Sequence, residues 1–145
     1  MLLIAVLPVV ALFNVFGQRP ETTTARSPAA SLLVYAPSHV RGGLLYTARF
    51  EITAHQELGH PRLILAPGWA EQLTLNAIGP QPVSQASEHG RLDLILGHMS
   101  AGKKAVLWIS YQVNPTNVGN HDQDVSLDDG NRRLLTVHRS FTVFP

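Results

Sequence analysis

The sequence contains no cysteine among its 145 residues. This absence excludes disulfide bonds, thiolate nucleophiles and cysteine-ligated metal centres together. It does not decide the redox compartment, because a domain that buries a large enough core folds without disulfides. A chain of this length favours one domain of ordinary size.

Charged residues are also scarce, since they make up 14% of the chain and leave a formal net charge of +1. A field this weak does not gather a polyanion, so we expect no nucleic-acid partner. Two catalytic motifs are missing as well. The sequence has no Gly-x-Ser-x-Gly elbow and no glycine loop that would cradle a phosphate, and we interpret Gly42-Gly43 as the beginning of a strand.

An apolar run occupies residues 1–16, MLLIAVLPVVALFNVF, and only Pro8 and Asn14 interrupt it. As a helix it would span ~24 Å, somewhat less than the ~30 Å hydrocarbon core of a bilayer. We expect one N-terminal transmembrane helix, a slightly short anchor that contacts membrane lipid. The alternatives are a buried apolar element of the domain and a cleaved signal peptide. The signal peptide would need a basic n-region and a nearby small-residue cleavage site, and neither is clear.

Residues 17–30, GQRPETTTARSPAA, have no apolar period and contain two prolines and three consecutive threonines. This composition predicts a flexible linker. The expected organisation is therefore a transmembrane anchor at 1–16, a linker at 17–30 and a β-sandwich domain at 31–145. Hydrophobic residues make up 45% of the chain, which argues against disorder.

After residue 30 apolar and polar residues alternate, which is the period of a half-buried strand. The pattern is clearest at 44–54, where Tyr46, Phe50 and Ile52 face one way. Residues 105–113 are partly apolar on both faces, which favours a central strand. Asp129-Gly130 predicts a tight hairpin, because glycine readily adopts positive φ. The other predicted strands are residues 31–36, 62–66, 73–78, 91–96, 125–127 and 132–144.

Seven or eight short strands without a convincing helix after residue 16 predict an all-β fold, an antiparallel immunoglobulin-like β-sandwich. No long period recurs, so we expect one unit and not an array.

Two segments of the domain carry a family likeness. Residues 50–54 (FEITA) are followed by 63–69 (LILAPGW), and residues 94–103 (LILGHMSAGK) lead into the strand at 105–113. Together they resemble the conserved-repeat domain of bacterial cell-surface proteins, which is an immunoglobulin-like sandwich. Residues 55–60, HQELGH, depart from that family's Asn-Thr-Gly turn. The resemblance implies display outside the cytoplasm and a structural or adhesive role, and it supplies no catalytic residues.

Histidine is frequent, with seven residues. Imidazoles are ligands of zinc and copper, but no pair along the chain has the short spacing of a site on one strand or helix. We interpret them as surface residues and expect no metal there. The pairs considered are His55 with His60, His89 with His98, and His121 with His138.

Four aspartates form an acidic cluster at 122–129: Asp122, Asp124, Asp128 and Asp129. Carboxylates of this kind bind calcium, but the spacing does not match the helix-loop-helix loop, which needs a glycine at its sixth position and a distal glutamate. We interpret the cluster as solvated hairpin residues. The sequence thus predicts no catalytic residue, no metal and no cofactor.

Two tryptophans remain, Trp69 and Trp108. A binding surface is one interpretation, but the core of a sandwich is the position that we expect for both. The function that these observations favour is a non-catalytic, membrane-anchored module that binds a protein partner in the membrane or cell envelope. The alternative is a metal-dependent or hydrolytic enzyme whose site is assembled from scattered His and Asp.

The expected location is the outer side of the cytoplasmic membrane. Arg19 and Arg26 follow the apolar run, whereas no basic residue precedes it, and this asymmetry by itself favours a cytoplasmic domain. We give it less weight because the apolar run is short by a few residues, so basic residues upstream of it are expected to be missing. The threonine-rich segment and the family resemblance both favour the outer side.

Overall fold

The computed structural model describes residues 20–145, and within them lie thirteen strands and one short 3₁₀ helix, Pro67–Trp69. The strands are β1 (Pro20–Arg26), β2 (Ala30–Pro37), β3 (His39–Arg41), β4 (Leu45–Ala54), β5 (Pro61–Leu65), β6 (Leu73–Gly79), β7 (Ser84–Glu88), β8 (Arg91–Ile95), β9 (Lys104–Val113), β10 (Gly119–Asp122), β11 (Val125–Asp129), β12 (Arg132–Val137) and β13 (Ser140–Phe144).

Two five-stranded antiparallel sheets form the layers of a sandwich. The first has the order β1-β2-β4-β9-β6 and the second the order β12-β11-β5-β8-β7. A third, three-stranded sheet has the order β10-β13-β3, and its β13–β3 pair is parallel. The predicted all-β, antiparallel sandwich is therefore confirmed at this level of description.

The alternation in the sequence explains which side chains fill the core. On β4, Phe50 and Ile52 are buried, whereas Thr47 faces outward and is exposed. On β9, Leu107 and Ile109 are buried in the same way. β9 pairs with β4 on one side and β6 on the other, as expected of a central strand. The hairpin is also confirmed, since Gly130 connects β11 to β12 with a φ of +62°.

Trp69 lies at the centre of the core and is 2% exposed, which confirms its predicted position. Its ring centroid lies 5.3 Å from that of Phe50 and 5.9 Å from that of Tyr111. Its indole nitrogen donates a hydrogen bond to the carbonyl oxygen of Gln123 at 3.0 Å. Gly68 is required beside it, because a Cβ there would lie 1.9 Å from the carbonyl oxygen of Asp122.

The prediction of a linker at 17–30 is wrong at residues 20–26, and residues 17–19 lie outside the described part of the chain. Residues Pro20–Arg26 form β1, which pairs in continuous register with β2 from Pro20 opposite Pro37 to Arg26 opposite Ser31. A strand of mostly polar residues can form here because β1 is the edge strand of its sheet, where its outward side chains are solvated. The threonine run favours the extended conformation.

The count of seven or eight strands was too low. β3 and β10 lie in segments that carry no alternation, and β7 is an exposed strand outside the predicted strand segments. The predicted strand at 132–144 is two strands, β12 and β13, separated at His138 and Arg139. The transmembrane helix expected at 1–16 lies outside the described residues. Among residues 20–145, no helix is long and apolar enough to cross a membrane.

Candidate interaction surface

Trp108 is the largest exposed aromatic side chain on the outer face of the first sheet, with 45% of its surface accessible. The expectation that it belongs to the core is therefore wrong. Leu107 and Ile109, its neighbours along β9, point into the core instead. Because side chains alternate along a strand, Trp108 has to face outward once they are buried.

The residues opposite Trp108 explain why it stays uncovered on one side. In the pairing of β9 with β6, Trp108 lies opposite Gly79, which has no side chain. The next outward residue of β9, Ser110, lies opposite Ala77. Gly79 is also the last residue of β6, so no further residue of this strand lies beside Trp108.

On the other side, Arg49 of β4 lies between two aromatic rings. Its guanidinium carbon is 5.4 Å from the ring centroid of Trp108 and 5.0 Å from that of Tyr35. The three residues are directly paired across β2, β4 and β9. A guanidinium at this distance over an aromatic face is attracted by the ring quadrupole. We call Tyr35, Arg49 and Trp108 the Arg49 row.

The carboxylate of Glu51 partly balances the charge of the Arg49 row. Its Oε1 lies 3.9 Å from the Nε of Arg49 and 3.4 Å from the Nζ of Lys104. The separation from Arg49 is that of an ion pair without a hydrogen bond, and the buried Nε of Arg49 has no hydrogen-bond partner among residues 20–145. This nitrogen is therefore a buried donor, and what the row offers to another molecule is the exposed part of Trp108.

A cleft of about 510 Å³ begins beside the row, at Val106, two residues from Trp108 on the same face of β9. Its walls come from the β6–β7 connection, the β8–β9 connection and the first residues of β9, and we call it the distal cleft. Its rim is cationic at Lys103 and Lys104, which are both exposed. The apolar part of its lining consists of Pro80, Pro82, Val83, Leu96, Met99, Ala105, Val106 and Leu107.

Each histidine considered from the sequence contacts a different residue. Among residues 20–145, no three or more His, Asp or Glu side chains form a group that could hold a metal ion. His98 contacts Glu57 at 2.7 Å on the rim of the distal cleft, and His121 contacts Asn117 at 2.8 Å. The side chain of His55 is hydrogen-bonded to that of Ser31, and the backbone N–H of His60 donates to the carboxylate of Asp129. The rings of His89 and His138 lie beside the carboxylates of Glu88 and Asp124, the second at 3.2 Å.

The acidic cluster is divided among separate partners. Asp128 is buried, contrary to its interpretation as a solvated residue, and it accepts hydrogen bonds from Arg62 at 3.3 Å and from Arg133. Asp124 pairs with His138, and Asp129 accepts a hydrogen bond from the backbone N–H of His60 at 2.9 Å. Cross-strand pairing of β5, β11 and β12 brings the arginines to Asp128, which the linear spacing did not reveal.

A second, polar cleft of about 500 Å³ lies beside β1. Its lining is Glu21, Thr23, Asp122, Asp124, His138, Arg139 and Ser140. Arg139, one of these residues, stacks over Trp69 at 5.0 Å and donates a hydrogen bond to the carbonyl oxygen of Pro37 at 2.9 Å. Burial lowers the pKa of Arg139 below its ordinary value. Sequence patterns do not indicate this cleft, because Glu21 belongs to the segment that is predicted as a linker.

Comparisons with known proteins do not assign the chain to a family. No family model and no curated protein matches the chain. Among solved structures, a non-cellulosomal cohesin from Archaeoglobus fulgidus is 15% identical, with 76% of this chain and 88% of that chain covered and a TM-score of 0.48. A FixG-related protein from Vibrio parahaemolyticus is 13% identical, with 83% and 100% covered and a TM-score of 0.46. A CARDB domain from Pyrococcus furiosus is 12% identical, with 87% and 94% covered and a TM-score of 0.44. All three have immunoglobulin-like β-sandwich folds.

Proposed function

We propose that this chain is a non-catalytic, membrane-anchored module that binds a protein partner through the Arg49 row and the distal cleft. The observation that carries the proposal is the exposure of Trp108 beside a cleft with apolar walls. Tryptophan and arginine are enriched at the energetically dominant positions of protein interfaces. Here both occur in one row on a rigid sheet, next to a concave surface.

The chemistry of this surface favours a partner with an apolar side chain and a carboxylate close to it. The apolar walls of the distal cleft would take up the side chain. Lys103 and Lys104 on its rim would meet the carboxylate, since complementary charge guides association and fixes orientation. Glu51 already contacts Lys104, which leaves Lys103 as the freer cation of the two.

The anchor and the location complete the proposal. Residues 1–16 would insert in the membrane, and the sandwich would lie on the outer side of the cytoplasmic membrane. The apolar character of that run and the resemblance to the conserved-repeat domain of surface proteins support this placement. In this arrangement the partner is a protein of the membrane or cell envelope.

A photo-crosslinking experiment tests the partner surface. A benzophenone amino acid replaces Trp108 in the full chain in native membranes, and a matched variant carries it at Ser87, which is exposed on β7 of the second sheet. We expect an adduct of one discrete mass from position 108 and none of that mass from position 87. Equal labelling from both positions, or no adduct from 108, would contradict the proposed surface.

The enzyme alternative has its own test. This alternative would place its site at the polar cleft, which carboxylates and His138 line, although no three of the His, Asp and Glu side chains within residues 20–145 form a group that could hold a metal ion. Elemental analysis of the purified protein separates the two functions, because stoichiometric zinc, copper or calcium would favour the enzyme.

A further inference from the structure

Exposed apolar side chains gather at one end of the sandwich. Among residues 20–145, seven large hydrophobic side chains are exposed, and four of them lie in three segments that meet at this end. They are between 43% and 62% exposed, and they are Leu44, Leu45, Val118 and Phe144. We call this the proximal end.

Backbone hydrogen bonds show that the three segments meet. The N–H of Gly42 donates to the carbonyl oxygen of Phe144 at 3.0 Å, and the N–H of Val113 donates to that of Leu44 at 2.9 Å. Val118 directly precedes Gly119, which pairs with Val143 across β10 and β13. The distal cleft lies at the other end, because β4 extends from Leu45 to the level of Lys104 over ~26 Å at ~3.3 Å per residue.

The N-terminal run joins the domain at this same end. β1 begins at Pro20 opposite Pro37, and in the register of β2 with β4 that position lies at the level of Thr47, two residues from Leu45. Only residues 17–19 separate the apolar run from Pro20. The four Cα–Cα steps from residue 16 to Pro20 span at most ~14 Å. A membrane that takes up residues 1–16 therefore has to lie close to the proximal end.

The charges at the proximal end suit a lipid surface. Segments 37–45, 113–120 and 143–145 contain no Asp or Glu. Arg41 is exposed there, and the ring of His39 stacks on Phe144 at 5.7 Å. Glu71, two residues before β6, lies 3.4 Å from His121. Apolar side chains flanked by a cation are typical of surfaces that rest at the headgroup boundary.

We propose that the proximal end lies on the membrane, with Leu44, Leu45, Val118 and Phe144 at the boundary between headgroups and acyl chains. This inference rests on the proposed anchoring of residues 1–16. The inference adds an orientation to that anchoring, because β1 keeps the domain close to the bilayer. The distal cleft then faces away from the membrane. The occupant of the apolar end is thus lipid, and the Arg49 row and the distal cleft stay accessible to a protein partner.

The absence of cysteine permits a matched pair of labels. The full chain carries Val118→Cys or Val83→Cys, each labelled with the environment-sensitive fluorophore NBD and reconstituted into phosphatidylcholine–phosphatidylglycerol vesicles. Both valines are exposed, but Val83 lines the distal cleft. We expect a blue-shifted emission at 118, and several-fold stronger quenching there than at 83 by lipids with a nitroxide near the headgroup. Phe144→Asp should reduce quenching at 118 while the chain still floats with the vesicles.

The outcomes separate the two proposals. A chain that floats with the vesicles but shows equal, weak quenching at both positions overturns the lipid contact and leaves the anchor intact. A blue shift at 118 that appears only at a high ratio of protein to lipid also overturns it, because a second copy would then cover this end. A chain that does not float with the vesicles overturns the anchor, and the lipid contact with it.

Discussion

Trp108 of β9 lies directly opposite Gly79 of β6, so the strand on that side offers no side chain to cover the indole. On the opposite side the guanidinium of Arg49 lies over its ring. The indole therefore contacts Arg49 on one side and is open to solvent on the side of Gly79. A side chain of a partner protein could cover it there.

The first prediction compares the two tryptophans. Trp108→Ala should lower the free energy of unfolding by less than about 1 kcal/mol, because the side chain is half exposed and leaves no internal cavity. Trp69→Ala should lower it by about 3–5 kcal/mol, since a buried aromatic ring is lost. Thermal melting of both variants provides the measurement. A large loss of stability for Trp108→Ala would return this residue to the core and remove the basis of the proposed partner surface.

The position of Trp108 shows how far the sequence could predict the site. The period of β9 correctly separates Leu107 and Ile109 from the outward residues, because a strand has only two faces. Whether an outward tryptophan is covered depends on the residue opposite it, and that is fixed by the register between strands far apart in sequence. Arg49 and Tyr35 join Trp108 for the same reason, so the row was not accessible to a search for local motifs.

The strands that prediction missed share a different property. β7 is exposed along its whole length and β1 along most of it, so neither leaves an alternating apolar pattern in the sequence. Both lie at the edge of a sheet and are defined by backbone pairing with one neighbour. Threonines 22 to 24 were the only local signal for β1, through their β-branched side chains.

The second prediction concerns Gly68. Gly68→Ala should destabilise the domain by about 2 kcal/mol or more, because the new methyl group meets the backbone carbonyl of Asp122, which cannot rotate away as a side chain would. Gly59→Ala is the matched control, since nothing lies within 4 Å of its Cβ position, and it should change stability by less than about 0.5 kcal/mol. Chemical denaturation measures both. Equal stability of the two variants would show that β10 does not approach Gly68 this closely.

The third prediction is a loss of stability at alkaline pH. Burial raises the pKa of Tyr46 and of Tyr111 above the ordinary value of 10.0. Above about pH 10 the unfolded chain releases these protons while the folded chain keeps them, so unfolding is favoured. The free energy of unfolding should be insensitive to both groups below about pH 9 and then fall by up to ~1.4 kcal/mol per pH unit for each tyrosine.

Tyr111→Phe provides the variant for this prediction. The hydroxyl of Tyr111 has no hydrogen-bond partner within residues 20–145, so its removal should be neutral or should stabilise the domain by up to about 1 kcal/mol at pH 7. The same variant should reduce the alkaline slope by about half. Denaturation at pH 7, 9, 10 and 11 measures both effects. An unchanged slope would show that Tyr111 titrates normally and is accessible to water.

The last prediction asks whether β1 is part of the domain. A chain of residues 27–145 should be less stable than one of residues 20–145 by about 2 kcal/mol or more, because it loses the backbone hydrogen bonds of β1 to β2 and the contact of Ala25 with the core. It should also self-associate, since β2 becomes an exposed edge. Thermal melting and light scattering of the two chains measure these effects. If both chains melt at the same temperature and stay monomeric, residues 20–26 are a linker after all, and the short connection that holds the proximal end near the membrane is lost with β1.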